Sequence, residues 1–427
     1  MNKLLCTVIA LSLFSFTYSQ RIPDEIYMRS IKGVKFFQYG NQVSYPVITL
    51  GSTMSLELHF DDLNNNVRNY SYTYQLCNAD WQPVELSEMD YIQGFLQNRL
   101  TQYRISSVAK VKYVHYQTML PDKNSMPSKS GNYLLKVFLN GDTAKLAFTK
   151  RLLVLDNKVP IGLKVVQPFN GNIIRTHQKV QFTIDVTKLS IFNRQQQLKV
   201  VVLQNYRWDN AVAGIQPVFM RGNQYEYNGE QDCVFPAGRE YRWADLRSFR
   251  FQSERIDHID QFIIPNDVFL RPDPERTRER FLAMEDLDGF YQVNCTDANN
   301  PWWQGDYGNV HFTFFPTNNQ PFPGKDVYIM GEMTGNLLND STKMKYNADK
   351  GVYEKTLLLK QGYYNYNYVT KDLKDKNAKA ETAYTEGDYW ETENTYTVLV
   401  YYRSLAGRSD ELVGAVSVNS RNGRLGF

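Results

Sequence analysis

A chain of 427 residues is longer than one ordinary β-sandwich and predicts about two to four domains. Its 48 basic and 45 acidic side chains nearly cancel, and no block of like charge stands out, which argues against a nucleic-acid partner. The 30 tyrosines and 24 phenylalanines suit half-buried pleated surfaces rather than helices.

The N-terminus reads as an export signal over residues 1–19. Lys3 supplies the positive region, Leu4 to Phe16 the apolar region, and Thr17-Tyr18-Ser19 a small-residue cleavage site, so that Gln20 opens the mature chain. Cys6 lies too early for a lipid-modified first residue. The apolar run is too short to span a bilayer, and no later stretch is long and apolar enough to do so. The expectation is an exported, soluble mature chain. Cys77, Cys233 and Cys295 remain after cleavage, an odd number at wide spacing, which reads as buried free thiols rather than a disulfide scaffold. The sequence does not say whether one pair bridges.

Strand patterns then follow one another along the chain. In a first segment, residues 20–157, Leu56, Leu58 and Phe60 alternate with Glu57 and His59, and Asp61-Asp62-Leu63-Asn64-Asn65-Asn66 reads as the turn that breaks the run. Tyr70–Cys77, Val111–Leu120 and Tyr133–Leu139 are further strands, and Asn140-Gly141 is a hairpin turn into Ala144–Leu155. Asp156 to Pro160 reads as a linker. The second segment, 158–283, holds Ile161–Gln167, Val180–Val186, Leu198–Gln204 and Arg247–Gln252, where Phe249 and Phe251 would face one way. It closes in the mixed-charge run Arg271–Arg280, read as a solvated linker or short helix. The third segment, 284–427, holds Val310–Phe315, Val327–Met330, Tyr353–Leu359, Tyr363–Thr370 and Tyr396–Tyr402. In it Tyr364, Tyr366 and Tyr368 alternate with Asn365 and Asn367, which places rings on one face and amides on the other. The fold class this predicts is all-β, with tandem immunoglobulin-like or E-set β-sandwich domains.

Catalytic chemistry is hard to find in this pattern. His59, His115, His177, His258 and His311 show no metal-ligand spacing, and lone strand histidines are usually structural. No Gly-x-Ser-x-Gly elbow and no phosphate-cradling glycine loop occurs. Glu285-Asp286-Leu287-Asp288-Gly289 begins like a calcium loop but meets Asn294-Cys295 where the closing Glu belongs, so a turn with solvated carboxylates is expected. Paired carboxylates for glycoside hydrolysis are defined by separation in space, which sequence does not carry. Trp302-Trp303 has two readings, exposed rings for a sugar or partner, or core and edge residues of a sandwich. Trp208, with Arg207, Asp209 and Asn210, reads either way too, as a stacking ring or as part of a buried polar corner. No catalytic, cofactor or metal residue is assigned, and no enzyme is expected.

Two resemblances add to this reading. Residues 327–370 resemble a glycogen-binding type of carbohydrate module through Val327-Tyr328-Ile329-Met330-Gly331, Met344, Gly351-Val352-Tyr353 and Gly362-Tyr363-Tyr364. Sugar-binding members carry tryptophans after the first and second of these glycines, whereas here Gly331–Gly351 holds none and Tyr353 stands at the second position. Nearly the whole mature chain resembles the type IX secretion system plug family. The resemblance is carried by Cys77-Asn78-Ala79-Asp80-Trp81, Ser130-Gly131-Asn132-Tyr133, Gln204 to Ala211 and Pro236-Ala237-Gly238-Arg239-Glu240-Tyr241-Arg242. Lys360-Gln361-Gly362-Tyr363-Tyr364, Glu391-Thr392-Glu393-Asn394 and Tyr401-Tyr402-Arg403 complete it. It implies a periplasmic, non-enzymatic protein without cofactors. Such a protein binds and seals the periplasmic opening of a giant outer-membrane translocon barrel, with no membrane span of its own. Family resemblance assigns no partner-binding residue. The alternative from the first resemblance is a periplasmic glycan-binding protein.

Overall fold

The structure is a computed structural model that describes residues 23–375 and 378–423. The expected signal peptide, with Cys6, lies outside the described residues. Those described form an all-β architecture in which each helix is a single turn of three or four residues.

The first sandwich packs a sheet ordered Ile31–Gln38, Leu56–Asp62, Val114–Leu120, Tyr103–Ile105 on a sheet ordered Val47–Thr49, Leu146–Leu155, Gly131–Leu139, Tyr70–Cys77, Asn98–Arg99. The period-two residues Leu56, Leu58 and Phe60 point inward and meet Tyr70, Tyr72 and Tyr74 from the facing sheet. Asn140 and Gly141, both at positive φ, make the predicted hairpin turn. The expected break at Asp61-Asp62 is corrected. Both residues belong to the strand and are buried, with Asp62 accepting a 2.9 Å bond from the Tyr70 hydroxyl.

The second sandwich is discontinuous. One sheet runs Ile161–Val166, His177–Asp185, Gln224–Tyr227, Phe219–Arg221, with Val234–Pro236 on the start of His177–Asp185. Its other sheet runs Arg207–Ala213, Leu198–Gln204, Thr395–Tyr402, Glu411–Asn419. Leu198–Gln204 pairs along its whole length with Thr395–Tyr402, from Leu198 opposite Tyr402 to Gln204 opposite Tyr396. The expected division into 158–283 and 284–427 therefore cuts across the sheets. A third sandwich is inserted in the second, between Val234–Pro236 and Thr395–Tyr402.

That third sandwich packs Arg242–Asp245, Gly362–Asp372 and Tyr291–Val293, with Lys325–Met330 on the far half of Gly362–Asp372, against a sheet ordered Ile256–Asp260, Asn266–Leu270, Tyr307–Phe315, Val352–Lys360, Lys345–Asn347. Tyr364, Tyr366 and Tyr368 do share one face and enter its core. Arg247–Gln252 is a loop, not a strand. Side chains satisfy its backbone instead of a ladder, because Asp245 takes the Arg247 N–H and Asp297 takes the Phe249 N–H at 2.9 Å. Phe249 is buried and Phe251 exposed, so they do not share a face. The run Arg271–Arg280 is not simply solvated either. Asp273 and Arg276 are buried, and Asp273–Pro274 pairs with Tyr307–Phe315.

The outer faces of two sheets join the first sandwich to the second. Cys77, Trp81, Leu134 and Leu153 pack on Val201, Leu203, Leu399 and Tyr401. Cys77, Cys233 and Cys295 are free and buried, and burial pushes the Cys77 and Cys233 thiols up to about 12.

Candidate functional site

Polar groups concentrate where the three sandwiches meet, and they come from strands whose inward neighbours fill the cores. On Ile31–Gln38 the buried Lys35 turns to the third sandwich. It donates to Glu332 Oε2 at 2.6 Å and to the Tyr291 carbonyl at 2.9 Å, and lies 4.3 Å from the centre of the Tyr291 ring. A reciprocal pair runs the other way. Lys360, from the third sandwich, donates to Asp61 Oδ2 of the first at 2.5 Å, and the Tyr307 hydroxyl shares that oxygen at 2.5 Å. The Gln42 side chain brackets Val293, accepting its N–H at 2.8 Å and donating to its carbonyl at 3.2 Å. Removing one member of such a pair strands a buried charge, which is costly even where the intact pair adds little.

Asp61 also organises the two adjacent histidines. His115 Nδ1 meets Asp61 Oδ1 at 2.7 Å, His115 Nε2 meets His59 Nδ1 at 3.1 Å, and His59 Nε2 meets Glu57 Oε2 at 2.9 Å. Trp302 of the third sandwich stacks on His59, ring centres 3.8 Å apart, with Phe37 beyond. Burial brings His115 down to about 4 despite the Asp61 contact, so it is neutral at pH 7 and the pair is a hydrogen bond rather than a salt bridge. The relay resembles an acid–base chain, yet it runs from Lys360 through Asp61, His115 and His59 to Glu57 beneath the Trp302 ring. Its geometry suits a strut between domains. Trp302 is thus an interdomain contact rather than an open sugar platform, while Trp303 carries the Arg104 guanidinium 5.6 Å from its ring centre.

A second network ties the inserted sandwich to the segment leading back out of it. Glu386 is fully buried, receives Arg242 Nε at 2.9 and 3.1 Å, Arg276 Nε at 2.6 Å and the Tyr368 N–H at 2.9 Å. Burial alone would raise its carboxyl, but the two guanidiniums outweigh this and hold it at about 2. Asp273 completes the set, taking Arg242 Nη1 at 3.0 Å and the hydroxyls of Tyr366 and Tyr368 at 2.8 Å each.

In the expected calcium-like turn Glu285 is exposed, while Asp286 and Asp288 are half-buried and face the buried Glu240. Asp286 accepts the Tyr241 N–H at 2.5 Å, and Asp288 accepts the Thr395 hydroxyl at 2.7 Å. Burial, reinforced by neighbouring carboxylates, raises Asp288 to about 7 and Glu240 to about 8, and burial raises Asp286 to about 6. Arg421 reaches Glu240 Oε1 at 3.1 Å and Glu393 Oε2 at 3.0 Å, while Glu240 Oε2 has no partner. Among the described residues no group of three or more His, Cys, Asp or Glu side chains is placed to hold a metal ion.

All three sandwiches line a cleft of about 240 Å³. Tyr45 stacks on Tyr206 at 5.0 Å and accepts the Trp208 Nε1–H at 2.8 Å, and the Arg151 guanidinium covers Trp81 and Trp208. Arg207 grips Asp209 through two bonds of 3.1 and 2.6 Å, the polar corner read from the sequence. Tyr353, at the position where the carbohydrate modules carry a tryptophan, is buried, its hydroxyl accepting the Phe322 N–H at 2.8 Å. His258 and His311 flank Phe269, ring centres 4.3 and 4.2 Å away.

Sequence reasoning missed Lys35, Asp61, Lys360 and Glu386. One signal was available for Asp61: extending the alternation of Leu56–Phe60 by two residues keeps it in the strand, beside His59 on the face opposite Leu58 and Phe60. The others pair across 297 residues (Lys35 with Glu332) and 110 residues (Arg276 with Glu386), a separation without local pattern.

Among known proteins, the family model described as "Type 9 secretion system plug protein 1st domain" matches residues 31–156, which is the first sandwich. A crystal structure of a hypothetical protein from Parabacteroides merdae superposes with a TM-score of 0.88 at 32% identity, covering 93% of this chain and 99% of that one. No curated protein matches. The likeness to the solved chain runs through all three sandwiches, and the family match falls on the one that supplies Lys35, His59, Asp61 and His115 to the junction; the chain belongs to the type IX secretion system plug family.

Proposed function

We propose that this chain is a non-enzymatic periplasmic plug that binds and seals the periplasmic opening of the giant outer-membrane translocon barrel of the type IX secretion system. The observation that carries the reading is the family match over the first sandwich. The build of the molecule suits it. A plug resists pressure from cargo and solute as one body; the Lys35–Glu332 and Lys360–Asp61 contacts lock the first and third sandwiches together, and Arg242–Glu386–Arg276 fixes the segment that leads back to the second. No helix among the described residues is long and apolar enough to cross a membrane, so the reading takes its place at the outer membrane from the barrel.

Size is compatible with sealing. A barrel of about 36 strands, the largest class known, is on the order of 70 Å across by strand spacing and tilt. A compact mature chain has a radius of gyration of roughly 22 Å, equivalent to a sphere about 55 Å wide, comparable to such an opening once side chains narrow it. Release for secretion requires a reversible and therefore partly polar interface. The test is a native pull-down of the tagged chain from outer membranes solubilised in mild detergent. Co-purification of one very large barrel protein, enriched when the barrel's cargo-side partner is deleted, supports the proposal; recovery of the chain alone refutes it.

A further inference from the structure

Beside one contact between the first and third sandwiches, apolar side chains stand in solvent. Phe262, at 99% exposure, tips the loop between Ile256–Asp260 and Asn266–Leu270, followed by exposed Ile263 and Ile264. Phe251, 75% exposed, tips the loop after Arg242–Asp245. Ile105 and Val108 are exposed on the adjoining edge of the first sandwich. These loops converge. Lys110 Nζ donates to the Gln261 carbonyl and to Asn266 Oδ1, both at 2.8 Å, and Val108, Arg250 and Gln261 line one shallow recess. The tip is also held in place. Asp260 Oδ1 takes the Phe262 N–H at 3.0 Å, Ser248 Oγ takes the Phe251 N–H at 2.9 Å, and Gln252 Nε2 donates to the Ile256 carbonyl at 2.7 Å. A rigid apolar surface loses little entropy when it is covered.

We infer that this two-domain tip is the surface that docks on the barrel, its occupant an apolar protein surface at the periplasmic rim. The inference rests on the plug reading given above. Two features favour protein over lipid. Counting about 200 Å² for each fully exposed large side chain, the six apolar residues present on the order of 800 Å², what one partner contributes to a standard-size interface and more than scattered surface residues would. The surround carries both signs of charge, with exposed Lys110 and Arg250 beside exposed Glu254 and Asp257. An apolar centre with a rim of mixed charge is the anatomy of a protein interface, whereas anionic headgroups would meet those carboxylates unfavourably.

The experiment compares barrel retention from solubilised outer membranes by the unaltered chain, by Phe251→Ser with Phe262→Ser and Ile264→Ser, and by a control, Phe219→Ser with Met220→Ser, on an exposed edge strand of the second sandwich. The expected result is a loss of about tenfold or more for the tip variant, as apolar anchors dominate docking, with the control unchanged. Equal retention by the tip variant overturns the assignment and leaves the plug reading standing. Failure of the unaltered chain to retain the barrel removes that reading, and the tip's occupant with it. Flotation of the unaltered chain, but not the tip variant, with phosphatidylethanolamine–phosphatidylglycerol vesicles assigns the tip to lipid and overturns the proposal. Should the tip variant unfold, a photo-cross-linking phenylalanine analogue at position 262 replaces it: a cross-link to the barrel supports the assignment and a cross-link only to other proteins overturns it.

Discussion

Replacing Glu386 with Gln tests whether buried charge, rather than shape, fixes the inserted sandwich. The amide keeps the volume but leaves Arg276 without a counter-ion and Arg242 with Asp273 alone. Glu386 is fully buried, so two routes to the cost can be compared. Breaking a buried pair by removing one partner costs about 3–5 kcal/mol. Independently, the carboxyl falls from 4.5 to about 2 on folding, which at about 1.4 kcal/mol per unit corresponds to roughly 3 kcal/mol at neutral pH. The two agree. Because the folded value is depressed, the contribution is present above pH 4.5 and lost as pH falls toward 2. The deficit of Glu386→Gln should therefore be roughly 3 kcal/mol at pH 7 and about half that at pH 3, the other carboxylates cancelling in the difference. Urea unfolding of both proteins at the two pH values, followed by tryptophan fluorescence, measures it. A deficit below about 1 kcal/mol at pH 7, or one unchanged at pH 3, refutes the electrostatic account.

Two further predictions concern the junction. Lys360→Met strands the Asp61 carboxylate and should cost about 3–5 kcal/mol in urea unfolding, with part recovered by adding Asp61→Asn; a neutral Lys360→Met would remove the strut between the first and third sandwiches. Asp286, Asp288 and Glu240, raised to about 6, 7 and 8, hold protons in the folded chain that the unfolded chain has lost. Their stabilisation is thus present at low pH and lost as pH rises through those values. Taken as independent groups, those values give about 6 kcal/mol less stability at pH 8.5 than at pH 5.5 in thermal unfolding, and Asp288→Asn should flatten the slope; stability that rises over this range contradicts the raised carboxyls.

Local pattern carried the strands and not their partners. A purely local signal, the Asn140-Gly141 turn between two apolar runs, was enough for Gly131–Leu139 and Leu146–Leu155, which pair as a hairpin. It gave no hint that Thr395–Tyr402 returns to Leu198–Gln204, because a strand buried on both faces reads as an unbroken apolar run with no preferred neighbour. Charge misled in the same way. Arg271–Arg280 looked solvated because each charge was weighed against its neighbours in the chain, while Arg276 is neutralised by Glu386 from a distant segment. Asp61 looked like a turn for the same reason, its partner Lys360 lying 299 residues away. The family words fared better, since Ser130 to Tyr133 and Tyr401-Tyr402-Arg403 meet in the fold. Tyr401 donates to Asn132 Oδ1 at 2.9 Å, and Arg403 donates to Asn78 Oδ1 at 2.7 Å.

The central claim is closure of a pore, and conductance reads it directly. The purified translocon barrel, in a planar bilayer, is exposed to the chain from its periplasmic side. The account predicts that the large conductance of the open barrel falls to near the bilayer's baseline and returns when the chain is washed away. Binding of the chain with the conductance unchanged would contradict it.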